Sequence, residues 1–283
     1  MRYSVAITAA LGLLFTSAQA QAFSGFVKDA GAGYAKLSYD TLTSKDLYLT
    51  NGERLGFGTE FTQMNLSLYG EVGVTSFLTV GINAPVARFN SFEMSDTAAG
   101  LGDIAIFAKA GLNLWGFATA IIVSPEFPTG RDEALVPDGF DGRINLPTGD
   151  GEFSTWFRLA VSRSLPGPSW MSSYVSAYGG YNARSKWADQ IGAGGELGIG
   201  LFGWVLIQGK FDALFSPTPT EDLRPEGIFL FGEGTEYVAA GATISARIPA
   251  TSLWLDFGFR NTFANLRNLY AGTTFSAGIA ADW

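Results

Sequence analysis

From Tyr34 to the last residue, the chain is a succession of segments in which apolar and polar positions alternate. The final one shows the pattern most plainly. Between Thr273 and Trp283 every second residue is Thr, Phe, Ala, Ile, Ala and Trp, while Thr274, Ser276, Gly278, Ala280 and Asp282 are small or polar. A period of two places these sets on opposite faces of a strand, so the two faces meet different solvents. The same alternation recurs at 34–42, where Ala35, Leu37 and Tyr39 oppose Lys36, Ser38 and Asp40, and again at 61–73, 78–86, 103–113, 153–165, 173–184, 191–200, 204–215, 235–247 and 253–260. The segment 117–124 is nearly all apolar and offers no assignment of faces.

The connections alternate too. Short turns at Val74–Phe77, Trp115-Gly116, Pro166–Pro168, Leu201–Gly203 and Pro249-Ala250 interleave with longer stretches at 43–60, 88–101, 125–152, 216–234 and 261–270. About twelve strands with this rhythm predict an all-β, transmembrane, antiparallel up-and-down β-barrel with short periplasmic turns and long extracellular loops. A soluble sandwich has no need of alternating loop lengths, and its solvent faces carry Lys, Glu and Thr. Here the second face carries Tyr, Trp, Ser, Gly and Asn among charges of both signs.

The N-terminus adds an address. Arg2, an apolar run over 5–15 and two overlapping A-x-A triplets predict a secretory signal cut after Ala20 or Ala22, leaving the barrel as residues 21–283. Removal of Arg2 leaves 17 basic against 26 acidic residues, a formal charge of −9. So acidic a chain does not build the basic surface that nucleic acid requires. The chain has no cysteine, which excludes disulfides and thiolate metal sites. It also has no histidine, which excludes Ser-His and Asp-His hydrolysis. A carboxylate-only enzyme is the residual catalytic reading, and no cofactor or metal is implied.

Two sets of residues are candidates for function. The inward set, expected to line a lumen, comprises Lys36, Asp40, Tyr69, Glu71, Asp103, Lys109, Trp156, Arg158, Tyr178, Glu196, Lys210, Asp212, Trp254, Asp256 and Arg260. Charges of both signs facing one another either line a polar path or cross-link and plug it. Twelve strands lie between barrels that side chains fill and those that hold an aqueous channel. The second set is aromatic and falls in the expected loops: Phe57, Phe89, Phe92, Phe127, Phe140, Phe229 and Phe231, a greasy vestibule for capturing solute or, alternatively, the upper aromatic girdle. The acidic stretches Asp132-Glu133 and 138–142 match no complete calcium loop and read as turns. The triplet Pro-Thr-Gly occurs at 128–130 and again at 147–149, each a stop to a strand.

Gly100-Leu101-Gly102-Asp103, the two Pro-Thr-Gly triplets, Gly149-Asp150-Gly151 and the stretch from Tyr69 to Val80 also carry a resemblance. Together they resemble the outer-membrane family of meta-pathway phenol-degradation and transporter proteins. The resemblance implies a barrel in the outer membrane of a Gram-negative bacterium, surrounded by lipid and lipopolysaccharide. It implies that a C-terminal strand ending in Trp283 is read by the barrel-assembly machinery, and that aromatic or other hydrophobic compounds are taken up. The expected function is therefore passive diffusion of small hydrophobic solutes. A plugged structural or adhesive barrel is the alternative.

Overall fold

A computed structural model describes residues 23–49, 51–217 and 234–283. The expected signal peptide, Phe229 and Phe231 lie outside these. Twelve long strands form the wall: β1 (Gly33–Tyr48), β2 (Arg54–Gly73), β3 (Leu78–Phe92), β4 (Ile104–Leu114), β5 (Phe117–Phe127), β6 (Ser154–Leu165), β7 (Met171–Arg184), β8 (Gln190–Leu201), β9 (Val205–Phe215), β10 (Glu236–Arg247), β11 (Leu253–Arg267) and β12 (Thr273–Asp282). Each pairs antiparallel with its chain neighbour, and β1 closes the ring on β12 from Tyr34 opposite Asp282 to Leu42 opposite Thr274. Closure leaves no free edge, so every wall strand satisfies its backbone within the sheet.

Outward positions carry apolar side chains with nothing over them, among them Leu37, Leu159, Leu197, Phe257, Phe275 and Ile279. Such a band is stable only against lipid. At the end with the short turns it gives way to exposed aromatics: Phe77, Trp115, Trp170, Phe202, Trp204 and Trp283. β5, whose faces the sequence left open, turns Ile121 outward at 56% exposure and Ile122 inward at 1%.

Several strands are longer than their apolar alternation. The stretch 43–60, expected as a loop, is mostly a hairpin that extends β1 and β2 and turns at Asn51-Gly52, where Gly52 has φ +83°. Likewise β3 continues to Phe92 and β11 to Arg267. Beyond the hydrocarbon both strand faces are wet, so the period-two signal fades although the ladder continues.

At the lower seam Gly33 and Trp283 exchange backbone hydrogen bonds of 2.9 and 3.2 Å, and the indole packs against Gly33. A Cβ there would sit 2.2 Å from the ring. Gly33→Val should therefore unseat Trp283 at an overpacking cost of about 1–3 kcal/mol. The heat-modifiable gel shift should then be lost at lower temperature than in the parent, and an unchanged transition would refute this role for Gly33.

Among the described residues, two further segments enter the barrel. Residues 23–32 run into its lower end ahead of β1. The connection 128–153 folds over its upper end, carrying a small hairpin, Leu135–Pro137 with Arg143–Asn145, that pairs only with itself.

Candidate functional site

The lumen has three tiers. The lowest is aromatic: Tyr34, Tyr69, Phe107 and Trp254 are buried together with Ile122. The Phe107 ring lies over Gly81 and stacks on Tyr69, with ring centroids 5.8 Å apart. Opposite, β8 supplies glycine where rings must lie against the wall. Gly192 underlies Trp156, Gly194 underlies Tyr178, and Gly198 underlies Tyr174, so closely that a Cβ on Gly198 would stand 2.1 Å from the Tyr174 ring. The glycine-rich strand is thus a flat seat for aromatics donated by β6 and β7.

The N-terminal segment climbs from this tier toward mid-barrel. Phe23 packs against Tyr178 with tilted rings 5.1 Å apart, and the Arg158 guanidinium lies over both the Phe23 and Trp156 rings at 4.3 and 4.0 Å. Gly25 N donates to Ser162 Oγ (2.8 Å) and Lys28 N to Thr79 Oγ1 (2.8 Å), while Lys109 Nζ donates to Phe26 O (3.2 Å). The sequence showed this stretch only as a Gly/Ala-rich lead-in. Phe23 and Phe26 flanking Ser24-Gly25 were the one available hint, since a solvated leader has no use for either ring.

The middle tier is a set of ion pairs, each reaching across an intervening strand or along a rung. Lys36 meets Asp256 at 2.8 Å, Arg260 holds Asp212 through two bonds of 3.0 and 2.6 Å, and Lys210 meets Glu196 at 3.6 Å. Glu71 is shared by Lys109 at 3.5 Å and Lys28 at 3.8 Å and also accepts from Tyr69 Oη. Asp40 shares the inward face of β1 with Lys36. Of the inward set, the structure places all but Asp103 on inward faces of wall strands. Asp103 stands just above β4 and bonds to the upper loop. Glu71, Glu196 and Asp212, the acids a carboxylate-only enzyme would use, are each bound to a wall cation.

The upper tier is apolar. Leu42, Leu47, Phe61, Phe92 and Tyr270 from the wall and rim close on Ala98, Ala134 and Leu146 from the loops. Phe61 and Tyr270 stack at 4.2 Å. This corrects the aromatic loop set. Phe89 and Phe92 are strand residues, Phe89 facing out and Phe92 buried in this tier, and Phe127 ends β5 against Phe153 at 5.6 Å. Phe57 also lies on a strand, β2. The expectation failed because strand continued past the apolar alternation. Phe140 alone is a loop aromatic among the described members, 76% exposed at the hairpin tip. There Asp138 Oδ1 accepts from Phe140 N and Gly142 N, the bonding of a turn.

Where the loop rejoins the wall, Arg184 binds Asp150 at 3.2 Å and also pairs with Glu152. Burial, then the Asp103 charge, push the Asp150 carboxyl up to about 8 against the pull of Arg184, with Glu126 and Glu152 adding to the rise. A carboxyl raised on folding favours the protonated, closed loop. That contribution is whole below the ordinary carboxylate pKa of about 3.9 and is lost as pH climbs toward about 8. Amides in 131–149 should accordingly exchange faster at pH 8.5 than at pH 5.5 after correction for intrinsic rates. Asp150→Asn should flatten that difference; an equal difference in both proteins would contradict it.

No protein-family profile matches the chain, and no curated protein does. Among solved structures, it is similar to an outer-membrane channel from Pseudomonas putida F1, with 13% identity, a TM-score of 0.66, and coverage of 91% of this chain and 97% of that one. It is also similar to the translocator domain of the autotransporter NalP from Neisseria meningitidis, with 9% identity, a TM-score of 0.51, and coverage of 99% and 97%. At these identities the likeness is one of fold. Fold, exposed apolar belt and aromatic lower rim define the class: a twelve-stranded β-barrel of the Gram-negative outer membrane.

Proposed function

We propose that the protein is a passive diffusion channel for small hydrophobic or aromatic solutes. The observation that carries this reading is how the lumen is filled. In barrels of roughly eight strands the wall side chains themselves meet in the middle. Here the wall leaves a space that is taken up by two chain segments, 23–32 from below and 128–153 from above, joined to it by side-chain contacts and local backbone bonds. Such a filling is removable without dismantling the barrel. Rings lie against glycine along one side of the path, and most of the wall charges are matched by an opposite charge. Matched charges give an ion no net field to follow, whereas the rings offer surface to an apolar solute.

Liposomes carrying the purified protein should admit a small phenol or alkylbenzene faster than protein-free liposomes, with little ionic current in planar bilayers. Equal uptake with and without protein, together with silent current, would sink the channel reading and leave a plugged structural barrel. The resemblance to phenol-degradation outer-membrane proteins supports the same solute class.

A further inference from the structure

The two Pro-Thr-Gly triplets have no part in the lumen wall, yet the fold brings them face to face. They meet on one carboxylate. Asp103 Oδ1 accepts from Gly130 N at 2.9 Å and Oδ2 accepts from Asp150 N at 2.7 Å, so the side chain is held by the last amide of one triplet and the amide just after the other. The triplets also bind each other and the wall. Thr129 Oγ1 donates to Gly102 O (2.6 Å), Arg131 N to Thr148 Oγ1 (3.0 Å), and Thr148 N to Arg131 O (2.8 Å).

Both glycines are required by contact. A Cβ on Gly130 would stand 2.6 Å from Gly149 Cα, and one on Gly149 would stand 2.4 Å from Asp103 Oδ1. From β3, Arg88 and Asn90 donate to the carbonyls of Thr148 (2.8 Å) and Pro147 (2.6 Å). The consequence lies one residue upstream. With Pro147 to Gly149 pinned, Leu146 is driven into the barrel mouth, where it is fully buried with Phe61, Phe92 and Tyr270.

We infer that Asp103 and the paired Pro-Thr-Gly turns form a latch that holds the 128–153 loop closed over the extracellular mouth. Asp103 is a positioning residue in this arrangement. The loop forms no ladder with the wall, since its hairpin is a separate two-stranded sheet, and Gly151 at its far end has φ +67°. Closure therefore centres on the charge-assisted hydrogen bonds to Asp103, each stronger than a neutral one, with the Arg88, Asn90 and Arg184 contacts beside them. Release of that point frees the loop to swing as a unit. The latch stands on this geometry; its meaning as a gate rests on the channel reading.

The native chain has no cysteine, so one buried probe suffices. Ala134→Cys places a thiol on the loop, inside the upper cluster. In the full-length protein in liposomes, a membrane-impermeant maleimide should label it slowly. Asp103→Ala and Gly149→Ala, each added to that parent, should speed labelling at least about tenfold, the change produced by about 1.4 kcal/mol. The two together should be no faster than the quicker single change, because both act on one point. Glu133→Ala, which removes an exposed acid from the same loop, should leave the rate unchanged. If Asp103→Ala fails to assemble, as judged by heat-modifiable mobility, Gly149→Ala carries the test alone. Parental labelling rates in assembled variants would overturn the latch, as would rates that multiply in the double variant. Faster labelling without faster phenol entry, even when residues 23–31 are removed as well, would leave the latch standing and count against the channel.

Discussion

Lys109→Met should destabilise the barrel by about 3–5 kcal/mol, the cost of removing one partner from a buried ion pair. Lys109 is 0% exposed, and its ammonium lies between the Glu71 carboxylate and the carbonyl of Phe26. Methionine fills much the same volume but cannot donate. Glu71 would then be left buried in the lumen with Lys28 at 3.8 Å as its remaining cation, which places the loss toward the lower end of that range. Adding Glu71→Gln to Lys109→Met should recover a large part of the stability, since it removes the uncompensated charge. Urea titration of the heat-modifiable fraction would measure both, and strictly additive losses would show that the two residues are not coupled. Phe26 also loses its donor, so residues 23–32 should become more open to protease before the barrel itself unfolds.

The wall was legible in the sequence because a membrane barrel writes its geometry in period two. Leu37, Leu159 and Phe257 must face lipid and Lys36, Arg158 and Asp256 must not, so the strands, the short turns and the faces of all strands but the nearly all-apolar β5 follow from residue order alone. The contents of the lumen were not legible for a physical reason. A segment inside a barrel is bordered on all sides by wall, so residues 23–32 show no two-faced pattern, and their contacts lie far along the chain, 137 residues away between Gly25 and Ser162. The upper tier was missed from the opposite cause. Phe92 and Tyr270 look like loop aromatics once the lipid-facing alternation stops, although the ladder carries Phe92 inward. Asp103 was grouped with the wall because it opens an alternating segment. Its actual partners, the amides of Gly130 and Asp150, cannot be anticipated from spacing. The repeated Pro-Thr-Gly was visible as a repeat, but its meaning required the fold to bring the two copies together.

Removing residues 23–31 should increase solute entry far more in an Asp103→Ala background than in the parent. The two closures are in series along one path: Phe23, Phe26 and Lys28 fill the lower lumen, and Leu146 with its apolar neighbours seals the mouth. Flux through resistances in series is set by the larger, so opening either end alone leaves the other in control. A deletion that keeps the signal and resumes at Ala32 preserves Gly33 and its bonds to Trp283, so the seam closes as before. It also strips Arg158 of the Phe23 ring and Glu71 of Lys28, which leaves cationic and anionic side chains in the widened path. Ionic current should consequently rise with solute entry in the doubly opened protein, whereas the parent passes little. Swelling rates for the parent, each single change and the combination decide the matter. Full opening by the deletion alone would mean that the loop offers no barrier, and no opening even in combination would mean that the wall side chains close the lumen by themselves.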